Sequence, residues 1–180
     1  MSALLTDRLQ LRRWRPEDRA PFIRLNADPR VMEYFPSQLT PAESTEMMAR
    51  IEAHFVRYGF GLWAVELRDT GEFTGFIGLN IPTFESHFTP CVEIGWRLAP
   101  EFWGQGLATE GARAVLHHAF TELALVEIVA FTVPDNHRSR RVMEKLAMTH
   151  DPVDDFDHPR LPEGHPLRRH VLYRKTASSH

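Results

Sequence analysis

The sequence holds a single cysteine, Cys91, in 180 residues. One thiol excludes an internal disulfide and a cysteine-built zinc site. No uncharged apolar run approaches the ~18 residues that a membrane span needs. The opening stretch MSALLTDRLQ has no cationic segment followed by an apolar one, so no secretory leader is expected. An excess of one charge is also missing: 21 Lys and Arg stand against 24 Asp and Glu, a formal net charge of −3. Binding nucleic acid by counterion release needs a concentrated basic face, so this balance disfavours a general nucleic-acid binder. Basic residues do gather at Arg12–Arg15, Arg138–Arg141 and Arg168–Arg169, where solvated faces are expected. Repeats, low-complexity tracts and linker-like stretches are absent. What is there, 43% hydrophobic and 11% aromatic residues, suits an ordered globular chain. At roughly 150 residues per domain, a single cytosolic domain over 1–180 is the expectation.

Periodicity supplies the elements. Leu9 and Leu11 alternate with polar neighbours in a first strand, Arg8–Trp14. Pro16, Glu17 and Asp18 suit the first turn of a helix running to about Asn26. Thr40-Pro41-Ala42-Glu43 is a capping box opening a second helix, which Gly59 and Gly61 end. Strands follow at Leu62–Leu67, Phe73–Asn80 and Val92–Leu98. A helix over Leu107–Leu123, a strand over Glu127–Val133 and a helix over Asn136–Leu146 come next. The tail predicts a strand around Thr149–Phe156, a Pro-rich loop and a last strand over His170–Arg174. The order β-α-α-β-β-β-α-β-α-β-β predicts an α/β fold, one mixed sheet with helices on both faces. Val92–Leu98 and Glu127–Val133 flank a helix, so they should be parallel.

The most informative stretch is Pro100-Glu101-Phe102-Trp103-Gly104-Gln105-Gly106-Leu107-Ala108-Thr109-Glu110, between a strand and a helix. Its glycines let successive N–H groups turn inward at a helix N-terminus, which makes a cradle for a pyrophosphate. No Lys-Ser/Thr pair follows, so it is not a Walker loop, and the third glycine of a dinucleotide fingerprint is missing. A tight turn without a ligand is the plain alternative.

Glu93-Ile94-Gly95-Trp96-Arg97-Leu98 followed by this loop resembles the acetyl-CoA-binding segment of the GCN5-related N-acetyltransferases (GNAT), most of all the RimJ/RimL-like branch. Asn136-His137-Arg138-Ser139-Arg140-Arg141-Val142-Met143-Glu144-Lys145-Leu146 resembles the family's next conserved segment, and the element order agrees along nearly the whole chain. The resemblance implies the acyl-CoA N-acyltransferase fold, with an acetyl-CoA-binding core about 92–148. Acetyl-CoA is then a co-substrate and no metal is needed. Gly104, Gln105, Gly106, Leu107, Ala108 and Thr109 would hold the pyrophosphate by their backbone, beside Trp103. The pantetheine arm would pair with the edge of Trp96, Arg97 and Leu98, and Asn136 would meet an amide of the arm, or simply cap its helix. The acceptor, an N-terminal peptide or a small-molecule amine, would be shaped by about 26–39, 83–90 and 151–169. The acidic run Asp151, Asp154, Asp155 and Asp157 would draw a charged amine or remain a solvated loop. Monomer and homodimer both stay open, and no nucleic acid or membrane partner is implied.

Acetyl transfer to an amine needs a base, a donor for the thioester oxygen and a proton for the departing thiolate. Glu93 is the candidate base: burial on a central strand raises a carboxyl's pKa, unless Arg97 on the same strand face pairs with it. Ser139 is the candidate proton donor, since Met143 stands where other branches have Tyr; Tyr173 or a water is the substitute. Cys91 reads as a small buried hydrophobe. Ala147-Met148 replaces the usual Gly-Phe after the last motif helix, so a different helix end is expected there. Two other classes stay open: a non-catalytic acyl-CoA-binding module on the same fold, and a nucleotide hydrolase, for which no Lys or carboxylate set is present.

Overall fold

The computed structural model describes residues 3–177. Nine strands form it: β1 (Leu4–Leu5), β2 (Leu9–Arg12), β3 (Leu62–Leu67), β4 (Phe73–Asn80), β5 (Glu93–Leu98), β6 (Glu127–Thr132), β7 (Thr149–His150), β8 (Phe156–Asp157) and β9 (Arg169–Thr176). Four helices join them: α1 (Arg19–Ala27), α2 (Pro41–Tyr58), α3 (Leu107–Thr121) and α4 (His137–Lys145). The strand order is β1-β2-β3-β4-β5-β6-β9-β7, with β8 also on β9. Every pairing is antiparallel except β5 with β6, as the crossover through α3 requires.

Local chemistry explains the boundaries. Thr40 Oγ1 accepts from Glu43 N at 3.2 Å, and the Glu43 carboxylate accepts from Thr40 N at 2.7 Å. Gly59, at φ 76°, ends α2. The first helix begins later than its sequence suggests, because Pro16–Asp18 forms a separate 3₁₀ turn. The predicted tail strand breaks into β7 and β8 around a 3₁₀ turn at Pro152–Asp154, where the Asp151 side chain accepts from Val153 N and Pro152 cannot extend a ladder. Ala147 takes φ 54°, and Met148 N still reaches Met143 O at 3.1 Å. The glycine-type helix end is therefore kept, with an alanine in the left-handed region.

The sheet is covered on both faces. Phe76 of β4 packs on Phe22 of α1, ring centroids 6.1 Å apart. Its neighbour Ile77 points the other way, into α3, where a Cβ on Gly111 would come within 2.5 Å of Ile77 Cδ1. Arg12 corrects the expectation of a solvated basic run. It is 7% exposed, pairs bidentately with Asp18 and donates Nε to Glu66 at 2.6 Å, joining β2, β3 and the first turn. Among the described residues no helix is long and apolar enough to cross a membrane.

Candidate active site

β5 pairs with β4 along its whole length, from Glu93 opposite Asn80 to Leu98 opposite Gly75. Its other edge meets β6 at one register position, Glu93 opposite Val129. Beyond Glu93 the two parallel strands part, so the edge of Ile94–Leu98 toward β6 has no strand partner. Exposed N–H and C=O groups of this kind bind an extended, amide-bearing chain by strand addition.

At the end of β5 the chain makes a 3₁₀ turn at Pro100–Phe102 and enters the glycine loop. Gly104 and Gly106 lie at φ 74° and 79°, where an L side chain is strained, and both are exposed. Gly106 caps α3 with no side-chain acceptor for the first helical N–H groups. Helix-internal bonding begins with Glu110 N to Gly106 O at 3.0 Å, so Leu107, Ala108 and Thr109 offer their N–H groups outward. Leu98, Leu107 and Thr109 bury their side chains and contribute backbone alone. Gln105 turns its side chain back to Glu101 O. Glu110, in the first turn of α3, is held by Thr6 and Arg8. Arg8 also donates to Gln105 O at 3.0 Å, and its Nη2 lies 3.7 Å from a Cβ built on Gly106. This adds a cation beside the cradle that sequence reading missed, since Arg8 sits far upstream with only a strand-edge signal.

Trp103 donates Nε1 to Leu98 O at 2.7 Å, and the Arg138 guanidinium stacks 4.2 Å from its ring. Arg138 also pairs with Glu33 at 2.9 Å, tying α4, the glycine loop and the α1–α2 connection together. Asn136 is the cap of α4: Oδ1 accepts from Ser139 N at 3.2 Å and Nδ2 donates to Thr132 Oγ1 at 3.0 Å. Its amide is thereby fixed beside the splay. Ser139 lies in the first turn of α4, half-buried. Tyr173 belongs to the opposite sheet face from Glu93. It lies next to Leu172, which shares the Val129 cluster, and its hydroxyl accepts from Arg140 Nε at 3.3 Å.

Glu93 sits where the splay begins. Burial pushes its carboxyl up from 4.5 to about 7, while the neighbouring Asn80 amide pulls the other way. The alternative ion pair with Arg97 does not form: Arg97 shares the face but donates Nη1 to Asn26 Oδ1 at 2.6 Å. The side chain of Trp96 takes the other face, against the core under α3. Burial first, then Glu93, pushes the Cys91 thiol up to about 11, which makes it a poor nucleophile.

The flanks of this face are the expected acceptor regions. Phe84 and Phe88 join Phe131 and Phe156 in an aromatic cluster, with His158 and His170 at its rim, ring centroids 5.2 Å apart. Trp14 and Phe88 are core residues, whereas Phe35 is 42% exposed. The acidic run is not an open lure. Asp154 pairs with Arg174 at 2.7 Å, Asp155 with His150 at 2.8 Å and Asp157 with Arg169 at 3.4 Å, while Asp151 caps its turn. Among the described residues no three His, Cys, Asp or Glu groups gather as a metal site.

Comparison with known proteins identifies the family. The model of the acetyltransferase (GNAT) domain matches residues 8–149. The chain belongs to the GNAT acetyltransferase family. This GNAT protein is 36% identical over 146 residues to the uncharacterized protein YkkB of Bacillus subtilis, covering 81% of this chain and 84% of that one. It is 37% identical over 154 residues to FsC-acetyl coenzyme A-N(2)-transacetylase of Aspergillus fumigatus, covering 82% of this chain and 65% of that longer protein. The crystal structure of a GNAT-family acetyltransferase from Bacillus anthracis is similar at TM-score 0.80 and 26% identity, covering 97% of this chain and 98% of that one. GNAT acetyltransferases draw their acyl group from acetyl-CoA.

Proposed function

We propose that this GNAT protein is an N-acetyltransferase that passes the acetyl group of acetyl-CoA directly to a primary amine, of a protein N-terminus or a small molecule. The observation that carries this reading is the position of Glu93: a carboxyl titrating near neutrality at the point where β5 and β6 separate. A base of that pKa is half ionised at the pH at which it must accept a proton. The backbone of Gly104–Thr109 would hold the pyrophosphate, with Trp103 and Arg8 at its side. The edge of Trp96–Leu98 would hold the pantetheine arm, with Asn136 across the splay.

The chemistry then follows. Glu93, through a water, takes a proton from the amine. The amine nitrogen bonds to the thioester carbon, the C–S bond breaks, and the thiolate leaves with a proton from Ser139 or a water. No enzyme thiol takes part, which suits the high pKa of Cys91. The RimJ/RimL-like likeness is part of the proposal and rests on the motif residues around Trp103. A reaction that consumes acetyl-CoA also fits a cytosolic location. Met143 favours a second reading, an acyl-CoA-binding module without turnover, because it puts a thioether where a hydroxyl donor would serve. Calorimetric titration with acetyl-CoA tests the binding half: saturable binding is expected, and none at millimolar ligand overturns it.

A further inference from the structure

The face of β5 that carries Glu93 also carries Gly95 and Arg97. A Cβ on Gly95 would meet nothing within 4 Å, so the strand is open between the two charged residues. Arg97 is enclosed by Phe76, 5.2 Å from its guanidinium carbon, and by the exposed Phe35 at 4.3 Å. Its one side-chain partner is the neutral Asn26, itself fixed by donating to Ser44 Oγ at 3.2 Å. Nε is buried with no partner. Among the described residues no carboxylate pairs with this guanidinium; burial alone acts on it, drawing its pKa down to about 10. It is still a cation at neutral pH.

A half-buried guanidinium without a carboxylate is costly, and its buried, orphaned Nε more so. By contrast the buried Arg12 and the half-buried Arg174 each have a carboxylate. Arg97 also lies on the sheet face opposite α3, so the sheet separates it from the N-terminus that forms the phosphate cradle. Asn26, at the end of α1, and Phe35, in the connection after it, both fall in the 26–39 region expected to shape the acceptor.

We propose that Arg97 is the anchor for a carboxylate on the acceptor, so that the substrate class is an amine bearing a carboxylate at its far end. This deepens the transferase reading and rests on it. The unpartnered Nε belongs to the planar fork of donors that a carboxylate accepts from. Glu93 and Arg97 are four residues apart, or roughly 13 Å along an extended strand. An amine at Glu93 and a carboxylate at Arg97 therefore belong to an elongated molecule lying over Gly95, with Phe35 beside its carboxylate end.

The test compares ω-aminobutanoate, ω-aminohexanoate and ω-aminooctanoate with their primary amides as acceptors, followed as thiol release from acetyl-CoA. The expected result is a preference in kcat/KM for the carboxylate of ~10- to 100-fold, the range of a charge-assisted bond, largest for the longer chains. Arg97→Gln should collapse that ratio, and Arg97→Lys should restore part of it. Equal use of acid and amide by the unaltered protein overturns the proposal. So does an Arg97→Gln variant that keeps the ratio, or one that loses acetyl-CoA affinity instead. If no acceptor turns over, the transferase reading fails separately. Calorimetric binding of ω-aminooctanoate and ω-aminooctanamide in the presence of CoA then still decides, and equal or absent binding overturns the anchor.

Discussion

Replacing Glu93 by Gln removes one ionisable proton and almost no volume, and it separates the two consequences of burying this carboxyl. The first is kinetic. With a pKa of about 7, Glu93 is about one-tenth ionised at pH 6 and about nine-tenths at pH 8. The kcat/KM of the unaltered protein should therefore rise through neutrality and level off above pH 8. Glu93→Gln should lose ~10²- to 10⁴-fold at the plateau, the usual worth of a positioned base, and lose the inflection with it. The second is thermodynamic. A rise from 4.5 to about 7 corresponds to about 3 kcal/mol. The folded state binds the proton more tightly than the unfolded state, so stability falls as pH rises from about 4.5 to about 7. Glu93→Gln should thus match the parent at pH 4 and exceed it by up to about 3 kcal/mol at pH 8. Urea unfolding at the two pH values measures this, and steady-state rates across pH 5.5–9 measure the first. An unchanged pH–rate inflection in the variant refutes the assignment of Glu93 as base. A stability difference that does not depend on pH refutes the buried-carboxyl argument beneath it.

Four further outcomes are expected. Ser139→Ala should lower kcat with little change in the KM for acetyl-CoA if its hydroxyl protonates the thiolate; steady-state kinetics read both, and an unchanged kcat assigns that proton to water. Gly106→Ala places a Cβ at φ 79° beside the Arg8 guanidinium; it should weaken acetyl-CoA binding at least ~10-fold and cost about 1–2 kcal/mol, by titration and by melting. Arg12→Met leaves Asp18 buried without its cation and Glu66 with Arg15 alone, at 3.4 Å, and should destabilise by about 3–5 kcal/mol, visible as a lower urea midpoint at pH 7. Ala147→Gly relieves the left-handed alanine after α4 and should gain about 0.5–1 kcal/mol.

Much of this was legible in the residues. The capping box at Thr40, the glycine loop and the crossover around α3 are short-range or patterned signals, and each falls where its chemistry requires. The pairing of β5 with β6 was legible as parallel, but its opening after Glu93 was legible only through family likeness, because strand divergence leaves no periodic mark. The tail was read as one strand around Thr149–Phe156, and the Asp151 turn that breaks it is a side-chain effect on two residues. Charge was the poorest guide. Arg12 looked like solvated surface and is buried, and the aspartates near the tail, read as a lure for an amine or a solvated loop, are paired or cap a turn. Arg97, the alternative partner for Glu93, turns to Asn26 instead. Those outcomes depend on which side chains a distant segment brings alongside, and one-dimensional spacing does not carry that information.

The central claim is direct transfer of an acetyl group to an amine at the Glu93 end of the splay. Its most direct test is a transfer assay with acetyl-labelled acetyl-CoA and a panel of N-terminal peptides, polyamines, amino acids and aminoglycosides, following free thiol and labelled amine together. Direct transfer predicts thiol and acetylated amine in equal amounts, with no label retained on the protein. Tight acetyl-CoA binding with no labelled amine from any acceptor would contradict it and leave a binding module in its place.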